Sequence, residues 1–304
     1  MKNKLIVRMA EGLGNQLFMY ANAFSIAQKI NYKLYFDEKS GYFKKKDIQN
    51  FALNNFNISA NTLDDKYKFN NQIKNLKRKF LINFDFLKKK KKFIIENRFE
   101  NKKTKYDTID TTNLSNIVYL EGHYESEKYF ISNRDSILRE FEIKNKDKLM
   151  NNRYFDIISK NKDRIISICV RTNRYSERIN NSNDLISKKK SDAFTKDNIE
   201  YIYRAIKQFP INIEKPLFLL WSNDFSNLNQ NFQKDNFIFV QNSQDKIITD
   251  FFLLTLCKYF IVGPTSFHWW GAWLSQDANK ICIKPKNINP SKNIDFWPNE
   301  WIAL

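Results

Sequence analysis

The sequence predicts an α/β fold of two domains, each built on a parallel sheet, with a cleft between them. Three observations carry that expectation. Short apolar, β-branched runs alternate with stretches whose apolar residues recur every three or four positions, the mark of strands separated by helices. A strand that returns through a helix lies parallel to its predecessor. The alternation starts afresh in the second half, and 304 residues give room for two cores. The expected division is 1–155 and 156–304.

In chain order, Lys4–Met9 reads as a buried strand and Asn15–Ile30 as a helix, with Leu17, Tyr20, Ala21, Phe24 and Ala27 on one face. Lys33–Asp37 is the next strand. Residues 61–110 are polar and lysine-rich without a clean period, and read as peripheral helices and loops. Asn116–Leu120 is a short strand, and Leu138–Ile158 a helix bridging the halves. The second series opens with strand Arg164–Val170. A helix carrying Ile199, Ile202, Tyr203, Ile206 and Phe209 ends at Pro210. Pro216–Trp221 and Asn236–Val240 follow as strands, Ile247–Cys257 as a helix, then strand Tyr259–Val262, helix Ser266–Leu274 and a last strand Lys280–Ile283.

Composition narrows the function. A hydrophobic share of 42% excludes bulk disorder. No apolar run approaches the length of a membrane span, and the first residues lack the apolar core of a signal peptide. Three cysteines without CxxC spacing favour a reducing compartment, the cytoplasm by default. The net charge of +18 comes from scattered lysines and from runs such as Lys44–Lys46, Lys88–Lys92 and Lys188–Lys190. These read first as a solvated surface, second as a face resting on anionic lipid at the inner membrane, and third as a nucleic-acid surface. No RNA-binding motif supports specific nucleic acid as a partner.

Four strand ends hold candidate site residues, where parallel sheets keep their ligands. Glu11, Gly12, Gly14, Asn15 and Gln16 follow the first strand, a turn that brings backbone N–H groups and a helix dipole to an anion, or simply a tight βα turn. Arg171 and Arg174 follow Cys169-Val170; a guanidinium fork suits a diphosphate, and equally a surface ion pair. Asp224, after Trp221-Ser222-Asn223, can accept from a ribose or base edge, or cap the next helix. Thr265, Ser266 and Phe267 open the last helix and form a phosphate cradle, while its aromatic rings read chiefly as core and His268 as structural. The histidines His123 and His268 have no metal-ligand spacing, and DxD, GxSxG and nucleotide-binding glycine motifs are missing. The residues therefore describe a metal-independent enzyme holding a nucleotide diphosphate through arginine, hydroxyls and helix ends.

Together these segments resemble the bacterial α-1,2-fucosyltransferases of glycosyltransferase family 11. Gly12-Leu13-Gly14-Asn15-Gln16-Leu17-Phe18 with Tyr20-Ala21 is similar to the family's N-terminal motif, Glu121 through Phe130 to its middle segment, and Asp250 through Leu274 to its C-terminal motif. The family's central HxRRxDY corresponds to Cys169 through Tyr175, where only Arg171 and Tyr175 match. Pro264, His268 and Glu11 replace the commoner asparagine, serine and glycine.

The resemblance implies a GT-B-like architecture of two Rossmann-like domains facing a cleft: 1–155 on the acceptor side and 156–304 binding GDP-fucose. It implies inverting, metal-independent transfer of L-fucose from GDP-β-L-fucose to the 2-hydroxyl of a terminal β-galactoside, on an oligosaccharide or lipid-linked glycan. No cofactor is expected beyond the donor. Arg171 is the expected catalytic cation, and Glu11 the expected base by analogy with protein O-fucosyltransferases. Gly12, Gly14, Asn15, Arg171, Arg174, Asp224, Thr265, Ser266 and Phe267 are the expected donor contacts. A transferase using another donor or acceptor, and a basic nucleic-acid-binding protein, stand as the alternatives.

Overall fold

The protein is described by a computed structural model covering residues 3–43, 51–85, 89–96, 104–176, 184–226, 228–242, 246–291 and 293–304. It divides into two compact units, residues 1–144 with 291–298, and residues 145–290 with 299–304.

The first unit starts with β1 (Lys4–Arg8), α1 (Leu13–Ile30) and β2 (Lys33–Asp37). Then come β3 (Asn61–Thr62), α2 (Gln72–Asp85), β4 (Lys91–Ile95), β5 (Leu114–Glu121) and α3 (Arg134–Glu140). The five strands form one parallel sheet in the order β3-β2-β1-β5-β4, with Leu5, Ile6 and Val7 of the central strand buried. Helix α1 is buried on every side from Gln16 to Ala27, and Asn31 closes it in the left-handed conformation. Residues 61–110 thus hold two strands of this sheet as well as a helix, where peripheral helices and loops were expected.

The second unit comprises α4 (Lys146–Met150), α5 (Arg153–Lys160), β6 (Ile165–Val170), α6 (Leu185–Lys207), β7 (Leu217–Ser222) and β8 (Phe237–Phe239). It continues with α7 (Lys246–Leu256), β9 (Tyr259–Ile261), α8 (Ser266–Leu274), β10 (Ile281–Lys284) and β11 (Ile302–Ala303). Its six strands are parallel and ordered β11-β10-β9-β6-β7-β8. From β6 the chain runs outward through β7 to β8, then returns to place β9 on the other side of β6. That reversal makes the β6–β9 boundary a topological switch point, where strand-end loops diverge and leave a crevice. Tyr201, Ile202 and Ala205 of α6 pack with Ile166, Ile168, Phe218 and Leu220 on one face of the sheet.

Two expectations about the connection are corrected. The segment 138–158 is not one helix. Asn145 turns the chain at φ 54, and Asn152 starts α5 afresh by accepting from Tyr154 N. The division falls at 144/145 and not 155/156, because α5 packs with the second sheet: the Tyr154 hydroxyl donates to Phe239 O (2.9 Å), and Phe155 stacks on Phe252. Residues 291–298 rejoin the first unit. Asp295 accepts from Tyr106 N through its carboxylate and from the Ser126 hydroxyl through its carbonyl, and Ile294 N donates to Thr104 O. Strand β11, beyond the expected last strand, extends the second sheet.

Candidate active site

In the second unit, three neighbouring strands end in the residues singled out from the sequence. The β6 end carries Arg171 and Arg174, the adjoining β7 end Asn223 and Asp224, and the β9 end on the other side Gly263 through Ser266. The switch point lies between the first and the last of these.

Gly263 sets the spacing there. A Cβ at this position would fall 2.4 Å from the Cys169 carbonyl oxygen and 2.8 Å from its Cβ, so only glycine lets the β9 turn close on the end of β6. His268 fixes the turn from below. Its Nδ1 accepts from Gly263 N (2.9 Å), which puts the proton on Nε2, and Nε2–H donates to the Ser167 hydroxyl (2.9 Å). Complete burial pulls the imidazole pKa down to about 3, so the ring is neutral. The structural role expected of this histidine is the one observed. Thr265 caps α8 by accepting from His268 N (3.1 Å). The N–H groups of Ser266 and Phe267 then occupy first-turn positions, which have no partner within a helix. The Phe267 ring packs edge-on against Phe251, so the donor contact open to this residue is its backbone N–H.

The loop after β6 is tied down on both sides. Asn223 accepts from Thr172 N (3.0 Å) and Thr172 Oγ1 (3.2 Å) and donates to Thr172 O (3.1 Å). Ser191, buried on α6, accepts from Tyr175 N and Ser176 N. Arg171 leaves β6 between these restraints and the start of α8. Its charge acts on the Cys169 thiol, although burial dominates and pushes that thiol up to about 12. Arg174 directs one guanidinium arm to Pro290 O (3.0 Å) and so ties the loop. Asp224 Oδ1 accepts from Ser226 N and Oγ, and Oδ2 from Asn173 Nδ2 (3.1 Å); these bonds hold its pKa below the usual carboxylate range. Among the described residues between Asp224 and β8 no helix begins, so the carboxylate closes a turn at Ser226 where a helix cap was expected, and Oδ2 can accept once more.

In the first unit, the turn after β1 holds Glu11 at φ 62, a left-handed conformation unusual for glutamate. Its carbonyl accepts from Gln16 Nε2 (2.8 Å) and the Tyr42 hydroxyl (3.1 Å), and Gln16 Oε1 accepts from Ala52 N (2.8 Å). Such cross-bracing is what keeps a strained turn in place. Gly12 precedes α1 in extended conformation, and a Cβ there would meet open space. Asn15 N donates to Gly12 O, and Gly14 is buried in the first helical turn. Glu11, Gly12, Gly14 and Asn15 therefore form one local group, distinct from the group of the second unit.

Sequence reasoning missed the clamping role of Asn223 and the anchor Ser191. The position of Asn223 at a strand end was a usable signal, whereas Ser191 sits in a lysine-rich helix with no local mark. Among the described residues, no group of three or more His, Cys, Asp and Glu side chains could hold a metal ion.

The profile of Glycosyl transferase family 11 matches residues 4–304. The O-antigen biosynthesis glycosyltransferase WbnK of Escherichia coli is 27% identical over 96% of this chain and 98% of its own. An Escherichia coli alpha-1,2-colitosyltransferase is 23% identical over 99% and 98%. Among solved structures, NodZ alpha-1,6-fucosyltransferase soaked with GDP-fucose superposes with a TM-score of 0.50 at 14% identity, covering 90% of this chain and 93% of its own. A variant of Arabidopsis thaliana FUT1 in complex with GDP gives 0.53 at 13%, over 94% and 71%. These likenesses show a GT-B-like fold of two parallel α/β sheets.

Proposed function

The chain belongs to glycosyl transferase family 11, and from that premise we propose that it transfers L-fucose from GDP-β-L-fucose to the 2-hydroxyl of a terminal β-galactoside, with inversion and without a metal. The acceptor is an oligosaccharide or lipid-linked glycan in O-antigen synthesis, and the enzyme works in the cytoplasm. The observation that supports this reading most is the juxtaposition of Arg171 and the start of α8 across the β6–β9 switch point, with Gly263 holding the two close.

The acceptor oxygen attacks the anomeric carbon as the bond from that carbon to the diphosphate oxygen breaks. The bonding pair leaves with GDP, so negative charge grows on the diphosphate while the sugar becomes oxocarbenium-like. Arg171 and the first-turn N–H groups of Ser266 and Phe267 are fixed donors for that growing charge, and donors that need not reorganise lower the barrier. Thr265 orients the turn by capping it, and Arg174 and Asn223 hold the loop that carries Arg171. The remaining acceptor capacity of Asp224 Oδ2 suits a ribose or guanine edge. Glu11 receives the acceptor proton, with its turn braced by Gln16 and Tyr42 and opened by Gly12, Gly14 and Asn15.

A second reading keeps the architecture and changes the sugar. The alpha-1,2-colitosyltransferase, 23% identical over nearly the whole chain, favours it. Turnover of GDP-L-fucose and of a colitosyl donor, with EDTA and a galactoside panel, separates the two. Acceptor-dependent GDP release from GDP-L-fucose supports the first. Release from the other donor alone replaces it. Glu11→Gln is expected to lower kcat about a hundredfold or more, and near-normal turnover would remove Glu11 as the base.

A further inference from the structure

Helix α2 carries an apolar face that stays exposed among the described residues. Its inner side, through Leu81 and Ile82, packs beside Phe69, Phe93 and Tyr119, and Arg78 donates to the Glu121 carboxylate from the same side. On the outer side, Ile73, Leu76, Phe80 and Phe84 follow at three- and four-residue steps, exposed by 83, 69, 59 and 42%. At about 100° per residue they share an arc of about 80°. The rings of Phe80 and Phe84 lie 4.2 Å apart, so the stripe is continuous at its C-terminal end.

The exposed charges of α2 itself are all positive. Lys77 and Lys79 are exposed on either side of it, and Lys89 and Lys90 are exposed just beyond the helix. The single acid of α2, Asp85, is turned to the protein, where its carboxylate accepts from Lys92 N and Phe93 N.

We propose that α2 docks this unit onto an anionic phospholipid surface, with Ile73, Leu76, Phe80 and Phe84 in the boundary of the acyl layer and Lys77 and Lys79 on the headgroup phosphates. A continuous apolar patch on a water-exposed helix marks an interaction site. Charge selects the occupant. A second copy would bring these lysines, on a chain of net charge +18, against their own kind. An amphipathic helix with large apolar residues on one side and lysines at its borders lies instead in a negatively charged interface. The docking does not depend on which sugar the enzyme transfers.

Co-sedimentation with vesicles of phosphatidylcholine alone, and of phosphatidylcholine mixed with phosphatidylglycerol, tests this with the full chain. The wild type is expected to sediment with the mixed vesicles and not with the neutral ones. Leu76→Ser/Phe80→Ser is expected to abolish binding, and Lys77→Gln/Lys79→Gln to weaken it about 25-fold, about fivefold per lysine. Both variants should melt like the wild type, because the replaced side chains face water. Three results would each overturn the docking: a wild type that stays in the supernatant, an apolar variant that binds as the wild type does, or a wild-type dimer that this variant makes monomeric without lipid.

Discussion

Gly263 lies so close to Cys169 that a single added methyl would sit 2.4 Å from the Cys169 carbonyl oxygen. This contact joins the ends of β6 and β9 and so sets the distance between Arg171 and the start of α8. A backbone oxygen has little freedom to yield, and overpacking of this kind costs about 1–3 kcal/mol. Gly263→Ala should therefore lower the melting temperature by several degrees, about 2–4 °C per kcal/mol for a unit of this size. It should weaken GDP binding as well. Calorimetric melting and GDP titration of the variant check both effects.

Asn223 clamps the loop after β6 through three hydrogen bonds to Thr172. The residue is exposed, so these bonds add little to global stability. Asn223→Ala should raise KM for the nucleotide-sugar donor several-fold while shifting the melting temperature little. Asn223→Asp keeps the acceptor for Thr172 N but loses the donor to Thr172 O, and should show the same KM effect. Steady-state kinetics beside thermal melting separates this from a general loss of fold.

His268 gives a pH signature. Its folded pKa lies near 3, below the ordinary value of an unfolded histidine near 6.5. Below pH 6.5 the unfolded chain takes up a proton that the folded chain refuses. Stability from this group is thus complete above about pH 6.5 and falls as pH drops, by up to tenfold in the folding equilibrium per pH unit. His268→Gln should be less stable than the wild type at pH 7, and the difference should shrink between pH 6.5 and 5. Denaturant midpoints of the two proteins across that range test it; a constant difference would mean that His268 is protonated in the folded state.

Asp250 shifts the opposite way. Burial raises its carboxyl to about 6, although Asn242 Nδ2 donates to Oδ1. Between about pH 4 and 6 the folded chain holds a proton that the unfolded chain has released, so this contribution is lost as pH rises through 6. Asp250→Asn should therefore gain stability relative to the wild type across that window and keep the gain above it. Melting temperatures of both proteins at pH 4, 6 and 8 give the comparison.

The sheets were largely legible because β1, β2, β6, β7 and β9 are buried central strands whose apolar runs stop where their loops begin. Peripheral helices were expected over 61–110, but the bounds of α2 and the whole of strand β4 escaped for a physical reason. Four large apolar residues of α2 face water, while its inner side mixes Arg78 and Asn75 with Leu81 and Ile82, so it lacks the pattern of a core-facing helix. Strand β4 is an edge strand that starts in a lysine run and buries only Phe93. Strand β11 has two exposed residues and no pattern to read. The site divides in the same way. Arg171, Thr265 and Ser266 were legible as strand-end and helix-start positions. The ties of Asn223 to Thr172, of Ser191 to Tyr175 and of Arg174 to Pro290 join residues distant in sequence, which local pattern does not reveal.

The central claim is that the second unit holds a guanosine diphosphate sugar at the β6–β9 switch point through Arg171. Calorimetric titration of GDP into the full chain in EDTA, beside Arg171→Ala and Arg171→Lys, tests it most directly. Saturable binding is expected for the wild type, with at least a tenfold loss in both variants, because an ammonium does not reproduce the guanidinium fork on a diphosphate. Equal GDP affinity in the wild type and Arg171→Ala, or no binding by a wild type that melts cooperatively, would contradict the assignment.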